Sequence, residues 1–344
     1  MLLPEPAQER STRMGIQPRE ALITDAVGVL QPVADRLRAV GVEVHTLEEG
    51  TPPGDAAEAA ADIPVVIVGH MSFGPAEIGR LRSTGLLIRA GVGYDVIDVD
   101  AATRAGVWVA NVPDFCLTEV ADHTMMLLLA SMRRLPQAMG TWKRRHSWQV
   151  TAELPTMHRI GGTRLGIVGL GRIGRLVADR ASAFGWEVVG HDPFLSDVEH
   201  RQAGIEPVGL DELFASADAV SLHCPLTDDN IHMVNRDRLA SMRTGMVLVN
   251  TSRGSLIDLD ALDGALADGT VSFAALDVLD GEPDPNLDHP LLDRPNVIVT
   301  SHTAWCSVEA STELSDRTAD EALRFLDGER PRNLVNPDAR RLSP

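Results

Sequence analysis

The stretch "RLGIVGLGRIG", residues 164–174, decides how the second half of this chain folds. It opens with an apolar run typical of a buried strand and continues into a helical pattern that reaches Phe184. Three glycines lie at the junction: Gly169, Gly171 and Gly174. In this spacing the first glycine makes a tight turn, the second lets backbone approach a pyrophosphate, and the third lets helix and strand pack closely. The stretch therefore predicts a dinucleotide-binding unit, with phosphates at the helix N-terminus.

The next strand-like segment, "EVVGHD", supports this prediction because it ends in an acidic residue. Asp192 follows the turn by about 20 residues, where a carboxylate can bind the hydroxyls of an adenosine ribose. A carboxylate at that place would also repel a 2′-phosphate, so the pattern favours NAD over NADP. The alternative is a solvent-exposed loop acid before Pro193.

Short apolar runs alternate with helical stretches on both sides of the glycine turn. The runs before it are "ALITDAV", "VEVHTL", "PVVIVGH", "LLIRAGVG" and "VWVANV", and those after it are "WEVVGHDP", "DAVSLHCP", "GMVLVNTS", "VSFAALDV" and "NVIVTSH". Such runs are typical of strands buried on both faces of a parallel sheet. The sequence therefore predicts an α/β fold with two doubly wound parallel sheets and a cleft between the two domains.

Two helical segments help to place the domain boundaries. A long one spans residues 118–139, and residues 140–162 then interrupt the pattern. Within that interruption the basic run "KRRH", Lys143 to His146, could bind an anion or could be a solvated helix end or loop. The last helical segment, residues 311–329, has no strand after it and could pack on the first domain. The predicted domains are residues 1–112 plus 314–344, and residues 113–313.

The composition fits a globular chain of two domains, with 344 residues, 44% hydrophobic and 23% charged. The formal net charge of −18 argues against nucleic acid as the main partner, because binding phosphates needs a basic surface. Cys116, Cys224 and Cys306 are widely spaced, which predicts reduced thiols and a cytoplasmic protein without a metal site. No apolar stretch approaches the ~18 residues of a membrane span, and the first 20 residues have no secretory apolar segment.

Polar groups follow three of the later strands. Arg253 comes directly after "VLVNTS", Glu282 lies beyond "ALDV", and His302 follows "VIVTS". Ligands in doubly wound sheets bind at the carboxyl ends of strands, so these side chains are expected to converge. Taken singly, each has an ordinary alternative: a helix salt bridge for the arginine, a turn for the glutamate and a loop contact for the histidine.

The combination suits the reduction of a ketone, which needs a proton as the alkoxide forms. An imidazole can supply that proton because its ordinary pKa lies near neutrality. A carboxylate beside the imidazole favours its charged, proton-donating form. A guanidinium makes a two-pronged contact with a carboxylate and an adjacent carbonyl oxygen. The pattern thus predicts an oxidoreductase acting on a keto acid, with a nicotinamide cofactor supplying the hydride.

The chain resembles the D-isomer-specific 2-hydroxyacid dehydrogenases over nearly its whole length. The motifs that carry the resemblance are "GVGYDVIDVDAATRAGVWVANVPD", "EVADHTMMLLL", "GIVGLGRIG", "VSLHCPLT", "MVLVNTSRGSLID", "ALDVLDGEP" and "SHTAW". The resemblance implies a flavodoxin-like substrate domain, a Rossmann NAD domain, and interconversion of a 2-keto acid and a D-2-hydroxy acid.

The resemblance also implies roles for individual residues. Arg253 would bind the substrate, Glu282 would be the carboxylate partner, and His302 would be the acid/base. The implied cofactor contacts are Val120, Gly169, Gly171, Arg172, Ile173, Gly174, Asp192, Cys224, Ser252 and Asp277. The implied substrate contacts are His70, Arg89, Val92, Gly93 and Trp305. The alternatives for three of these are core packing for Trp305, a satisfied strand-end residue for His70, and a domain-interface salt bridge for Arg89.

A homodimer is a further implication of the family resemblance. The helix around Asp122 to Leu135 and the following arm, "WKRRHSWQ", would pair the two subunits. The apolar run from Met125 to Leu129 fits burial against a second chain better than exposure to water.

Within the family the chain most resembles the C-terminal-binding protein group. The similar motifs are "VGHMSF", "DPFLSD", "LHCPL" and "HTAWCSVEAS". This implies an alternative function, an NAD(H)-sensing corepressor-like binding protein with little enzymatic role. Against it, the chain stops soon after "NLVNP" and its catalytic set is intact. A phosphoglycerate-type enzyme of serine synthesis is disfavoured because no regulatory domain is appended.

Two positions depart from the family pattern. Many relatives have proline where Ser301 precedes the histidine, and asparagine where Val96 follows "GVGYD". The first departure is expected to loosen the approach of His302, and the second to alter the hinge side of the pocket. Neither removes a catalytic group. The preferred acid does not follow from the sequence.

Overall fold

A computed structural model describes residues 19–25, 27–145, 157–282 and 285–339. The chain divides into two compact units, one of Met1–Val112 with Ser315–Pro344 and the other of Pro113–Leu314. Most of the first 20 residues, the end of the "KRRH" run (His146) and the second half of the predicted arm (residues 146–149) lie outside the described residues. No helix among the described residues is long and apolar enough to cross a membrane.

The smaller unit contains a parallel sheet with five strands. The strands are β1 (Glu20–Ile23), β2 (Glu43–Thr46), β3 (Val65–Val68), β4 (Leu86–Arg89) and β5 (Trp108–Asn111), and the helices between them are α1 (Val27–Ala39), α2 (Pro53–Ala60), α3 (Pro75–Ile78) and α4 (Val99–Arg104). The strand order β2-β1-β3-β4-β5 is that of a flavodoxin-like sheet. Strands β3 and β4 are buried throughout, which explains their unbroken apolar runs.

The larger unit contains seven parallel strands. They are β6 (Arg164–Val168), β7 (Glu187–His191), β8 (Glu206–Pro207), β9 (Ala219–Leu222), β10 (Met246–Asn250), β11 (Val271–Leu276) and β12 (Val297–Val299). Its helices are α5 (Leu117–Met132), α6 (Leu135–Arg145), α7 (Arg172–Ala183), α8 (Asp197–Gln202), α9 (Leu210–Ser216), α10 (Arg236–Ala240) and α11 (Leu259–Asp268). The order β12-β11-β10-β9-β6-β7-β8 is the doubly wound Rossmann order extended by one strand. The predicted fold class, with two parallel α/β sheets, is confirmed.

The register of the larger sheet aligns the carboxyl ends of its strands. Val168 pairs with both His191 and Leu222, and Leu222 pairs with Asn250. Asn250 is level with Leu276, which is level with the end of β12. The segments that follow these strands therefore share one edge of the sheet. The glycine turn follows β6, where the strand order reverses between β6 and β9, the usual ligand position in such sheets.

The predicted long helix at residues 118–139 is interrupted. Helix α5 ends at Met132 and α6 begins at Leu135, and Arg134 between them has a φ of +51°. Pro136 explains the break, because proline has no N–H to continue the helical hydrogen bonds and its ring clashes with the preceding turn. Proline is well tolerated in the first turn of the new helix.

The apolar run of α5 is mostly buried inside its own unit. Met125, Leu127 and Leu128 belong to a core on one face of the seven-stranded sheet, and Met126 is the exposed member of the run. The prediction that this run is available to a second chain was therefore wrong in its main residues. Helix α5 lies against β10, β11 and α7, so its apolar side is already covered.

The last helix, α12 (Val308–Leu326), leads into a segment that covers the edge of the smaller sheet. Val335 N donates to Val109 O at 2.8 Å, and the side chain of Asn336 accepts from Val109 N at 2.7 Å. An edge strand with unpaired backbone N–H and C=O groups favours aggregation. The two hydrogen bonds to Val109 pair such groups on β5. The segment after Ser315 belongs to the smaller unit for this reason.

Candidate active site

The glycine turn after β6 has the backbone that its spacing predicts. Gly169 has a φ of +90°, and a Cβ there would lie 2.5 Å from Cys224 N. A Cβ on Gly174 would lie 2.1 Å from Gly169 O, so helix and turn touch through bare backbone. Around Gly171 the described residues leave open space within 4 Å of an added Cβ. Each glycine thus meets the requirement of a pyrophosphate-binding turn.

The start of α7 can bind an anion through its backbone. Gly171 is the N-cap and no side chain among the described residues caps the helix, which begins at Arg172. The first N–H groups of a helix have no intrahelical acceptor and carry the positive end of its dipole. The open space at Gly171 and these N–H groups fit the phosphates of a dinucleotide.

Asp192 lies at the end of β7 and is tied to the glycine turn. Its Oδ2 accepts a hydrogen bond from Leu170 N at 2.8 Å, and Oδ1 accepts from Phe194 N at 3.0 Å. Asp192 is half-buried rather than a fully exposed loop acid. Each carboxylate oxygen can accept a second hydrogen bond, so the group can also bind ribose hydroxyls.

The segment after β9 lies against the same turn. Burial raises the pKa of the Cys224 thiol to about 11, and the nearby charge of Asp192 acts in the same direction. Burial lowers the pKa of His223 to about 4, and its Nε2 lies 2.8 Å from Ser221 Oγ. Both groups are therefore uncharged near neutral pH. His223 was missed by the sequence analysis, although its motif, "VSLHCPLT", was noted.

The other predicted cofactor residues in the larger unit lie on α5, α7 and the segment after β10. Val120 is buried on α5, and Ile173 is partly buried against the core. Arg172 Nη1 contacts Pro113 O at 3.4 Å. Ser252 Oγ donates to Cys224 O at 2.5 Å and so joins the segments after β9 and β10.

Arg253 lies in a turn that the buried side chain of Asn250 holds. Asn250 Nδ2 donates to Arg253 O at 2.7 Å, and its Oδ1 accepts from Ser252 N at 3.0 Å. A Cβ on Gly254 would lie 1.9 Å from the backbone carbon of Leu279. The glycine therefore lets the turn approach the segment that leads to Glu282. Neither Asn250 nor Gly254 was identified from the sequence.

His302 and Glu282 form a direct pair. His302 Nδ1 lies 2.5 Å from Glu282 Oε2, and Glu282 Oε1 accepts from Leu279 N at 2.8 Å. The two side chains are 32% and 26% exposed, so the pair is accessible to a ligand. The structure thus brings together two of the three predicted catalytic groups, and Arg253 lies within electrostatic range of the same carboxylate.

The environment of Glu282 keeps its carboxylate ionised. Burial alone would raise its pKa, but the hydrogen bond and charge of His302, the N–H of Leu279 and the charge of Arg253 together hold that pKa below its usual value. Because this pKa is lowered, the pairing of Glu282 with His302 is fully present at pH values above the ordinary pKa of a carboxyl group. The pairing is lost only as the pH falls through the lowered pKa of Glu282.

A buried acid holds the loop that carries His302. Asp277 Oδ1 accepts from Thr300 Oγ1 at 2.5 Å and from Thr303 N at 2.9 Å, and its Oδ2 accepts from Ala304 N at 3.0 Å. Asp277 is 1% exposed. The structure therefore gives Asp277 a positioning contact, and its implied contact with the cofactor stays a prediction.

His123 of α5 joins this network and was also missed by the sequence analysis. Its Nε2 lies 3.0 Å from Thr300 Oγ1 and 3.6 Å from Asp277 Oδ1. The motif "EVADHTMMLLL" contains this histidine, but its spacing indicates only a helix. A contact across 177 positions of sequence leaves no local signal.

The loop itself has an unusual backbone. Ser301 and His302 have φ values of +43° and +55°, and such conformations cost about 1–3 kcal/mol each outside glycine. Proline has φ near −65° and cannot adopt the conformation of Ser301. The departure of this chain from relatives with proline at that position therefore matches its backbone.

Three of the predicted substrate residues lie at or just after the end of β4 in the smaller unit. Arg89, the last residue of β4, is 9% exposed. Its guanidinium lies over Gly91, where an added Cβ would be 2.1 Å from Arg89 Nη1. Asn111 Nδ2 donates to Val92 O at 2.6 Å, which fixes the turn that contains Val92 and Gly93. The predicted substrate residues of β4 thus share one turn.

His70 follows β3 on a loop bound by Asp25, whose carboxylate accepts hydrogen bonds from the backbone N–H groups of Gly69, His70 and Met71.

The departure at Val96 has a packing reason, since its side chain lies against the core of the smaller unit. Trp305, in the larger unit, is half-buried and packs beside Phe115 at 6.0 Å between ring centroids.

Comparisons with known proteins agree with the geometry. The family model for the D-isomer specific 2-hydroxyacid dehydrogenase, NAD binding domain, matches residues 125–304. A glyoxylate reductase of Korarchaeum cryptofilum is 39% identical over 255 residues, which is 74% of this chain and 76% of that protein. The structure of a D-lactate dehydrogenase of Aquifex aeolicus with NAD and lactic acid has a TM-score of 0.82 at 26% identity, covering 92% of this chain and 98% of that one.

A D-3-phosphoglycerate dehydrogenase of Mycobacterium tuberculosis is 40% identical over 251 residues, or 73% of this chain. The chain spans about half the length of that relative, since the match covers 47% of it. These relatives are reductases and dehydrogenases, so they do not support the predicted likeness to the C-terminal-binding protein group. The prediction that disfavours the phosphoglycerate type stays a prediction, since the match leaves about half of that relative uncovered.

The positive φ of Ser301 gives a testable prediction. Replacing Ser301 with glycine should leave activity and stability close to wild type, because glycine adopts this conformation without strain. Ser301→Pro should lower kcat/KM by about 10²-fold, because the histidine moves from its partner. Steady-state kinetics and urea denaturation of both variants, with Ser301→Ala as the control for the lost hydroxyl, test this. Wild-type kcat/KM in Ser301→Pro would contradict the loop conformation.

Proposed function

The chain belongs to the D-isomer-specific 2-hydroxyacid dehydrogenase family and is an NAD(P)-dependent oxidoreductase, and we propose that it interconverts a small 2-keto acid and a D-2-hydroxy acid with NAD as its cofactor. The observation that carries the proposal is the pair of His302 Nδ1 and Glu282 Oε2, 2.5 Å apart. This pair follows strands of the same sheet edge as the glycine turn and Arg253.

His302 is the proposed acid/base. When bound, the nicotinamide cofactor supplies the hydride for reduction and accepts it in oxidation. During reduction the imidazolium of His302 gives a proton to the oxygen that becomes the hydroxyl, and in oxidation the neutral ring takes that proton back. Because Nδ1 pairs with Glu282, we assign the transfer to Nε2. The hydrogen bond to the carboxylate fixes the orientation of the ring.

Arg253 is the proposed substrate-binding group. Its Nη1 donates to Ser252 O at 2.7 Å, which directs the guanidinium from a turn already held by Asn250. A guanidinium has five N–H donors in a fixed plane, so it can keep this bond and still hold a carboxylate and its neighbouring carbonyl oxygen. His70, Arg89, Val92, Gly93 and Trp305 stay predicted substrate contacts.

NAD is the proposed cofactor because Asp192, the proposed ribose contact, lies beside the glycine turn. Its carboxylate is held by Leu170 N, next to Gly171 and the start of α7. A 2′-phosphate placed there would meet a negative charge fixed by two backbone hydrogen bonds. The residues that would hold the cofactor are Gly169, Gly171, Gly174, Arg172, Ile173, Asp192 and Cys224, which lies in the segment after β9.

A homodimer remains part of the proposal, with a corrected surface. Leu135, Met139 and Trp142 lie on α6 and are each about half exposed (49%, 50% and 49%). Their spacing of four and then three residues places them on one helix face. An apolar stripe of this kind favours burial against a second chain more than the covered run of α5 does.

The first test is NADH oxidation across a panel of keto acids: glyoxylate, hydroxypyruvate, phosphohydroxypyruvate, pyruvate, and aromatic and thioether keto acids. We expect turnover of at least one of them. His302→Ala should lower kcat by about 10²–10⁴-fold, because a general acid is lost. Arg253→Lys should raise KM, because an ammonium cannot make the two-pronged contact.

The control for that test is His45→Gln, a change of a 42% exposed histidine on β2 in the smaller unit, which should leave kinetics unchanged. Wild-type protein that binds NADH but reduces none of the panel would overturn the enzymatic proposal. That result would favour the alternative, an NAD(H)-sensing binding protein.

Cofactor preference gives a second prediction. Asp192→Ala should reduce the preference for NAD over NADP, measured as the ratio of kcat/KM values, by about 10- to 100-fold, because the repulsion of the 2′-phosphate disappears. Asp197→Ala, on the exposed first turn of α8, is the matched control and should keep the wild-type ratio. An unchanged ratio in Asp192→Ala would mean that another residue makes the ribose contact.

A further inference from the structure

A cavity lies in the larger unit, at the amino-terminal ends of its strands. It has a volume of about 880 Å³, and its lining includes Arg134, Gln137, Arg159, Asp218 and Arg243. Met246, the first residue of β10, also lines it, whereas Asn250 and Arg253 lie at the opposite end of that strand. Five strand residues span roughly 16 Å, so the cavity is distinct from the proposed catalytic edge.

Arg134 is the main feature of this cavity. The residue is only 9% exposed, and its Nη1 has no hydrogen-bond partner among the residues that the structure describes. The guanidinium carbon lies 5.7 Å from the centre of the Phe273 ring, a contact that offsets part of the burial. A buried charge without a counter-ion is costly, and burial accordingly lowers the pKa of Arg134.

The acid in the cavity wall is already engaged. Asp218 Oδ1 accepts from Arg243 Nη1 at 2.6 Å, and its Oδ2 accepts from Arg164 N at 2.8 Å. Arg159, an exposed residue at the rim, adds a further cation. The lining is therefore locally cationic, although the whole chain has a net charge of −18. Such a contrast attracts an anion to this place rather than to the surface generally.

Gln137 adds a second requirement. Its Oε1 is buried and lacks a hydrogen-bond donor among the described residues. A ligand that satisfies both side chains needs anionic oxygens for Arg134 and a hydroxyl or similar donor for Gln137. Gln137 lies two positions from Leu135, about 200° around α6, so the cavity and the exposed apolar stripe occupy opposite faces of that helix.

We propose that this cavity is a binding site for a small metabolite that carries a phosphate or hydroxycarboxylate group. Arg134 binds the anionic oxygens and Gln137 accepts a hydrogen bond from a hydroxyl of the ligand. The volume lies in the range of about 300–1,000 Å³ that is usual for small-molecule sites.

Thermal unfolding with inorganic phosphate, sulfate or citrate at matched ionic strength tests the proposal, with chloride as reference. Saturating NADH is present throughout, so that anions do not act at the start of α7. We expect phosphate or citrate, at about ten times its Kd, to raise the Tm by about 3–6 °C. Phosphate should exceed sulfate, because sulfate has no hydroxyl to donate to Gln137.

Arg134→Met keeps much of the side-chain volume without the charge and should abolish the rise in Tm. Arg201→Met, on the exposed surface of α8, is the matched control and should keep it. Gln137→Met should remove the advantage of phosphate over sulfate, and it tests the site even if Arg134→Met fails to fold. An equal rise in wild type and Arg134→Met, or no rise with any of the three anions in wild type, would overturn the proposal.

Discussion

The parallel register of the seven-stranded sheet is the constraint on which the candidate site depends. Because Val168, Leu222, Asn250 and Leu276 are level with one another, every segment after these strands begins at the same edge. A glycine turn, an arginine turn and a histidine loop that are far apart in sequence thereby become neighbours. A shift of one residue in this register would turn the side chains of a strand to the other face and separate these groups.

The histidine loop shows how the fold holds a strained backbone in place. Two consecutive residues with positive φ cost about 2–6 kcal/mol together. Asp277 offsets this with three hydrogen bonds to its buried carboxylate, each worth about 1.5–3 kcal/mol because the acceptor is charged. The strain is thus balanced by a group whose burial would itself be unfavourable without those donors. His123 and Thr300 extend the same network to helix α5.

Much of this arrangement could be predicted from the sequence, because its signals are local. The glycine spacing specified its own turn, and the unbroken apolar runs identified strands buried on both faces. The roles of Asn250, Gly254, His123 and Asp277 could not be predicted in this way, because each depends on a contact between segments distant in sequence. The burial of Arg134 could not be predicted for a related reason. The residue lies at the break between α5 and α6, whereas the sequence predicted a continuous helix there.

The most direct test of the account is the pH dependence of kcat/KM for keto-acid reduction in wild type and Glu282→Gln. The Glu282 carboxylate holds the His302 ring through a hydrogen bond and its charge. Glu282→Gln keeps the shape but removes the charge, so its kcat/KM should be below that of wild type at neutral pH. The difference should narrow as the pH falls through the lowered pKa of Glu282, because the wild type then loses the same charge. Equal kcat/KM values of the two proteins at neutral pH would contradict the account.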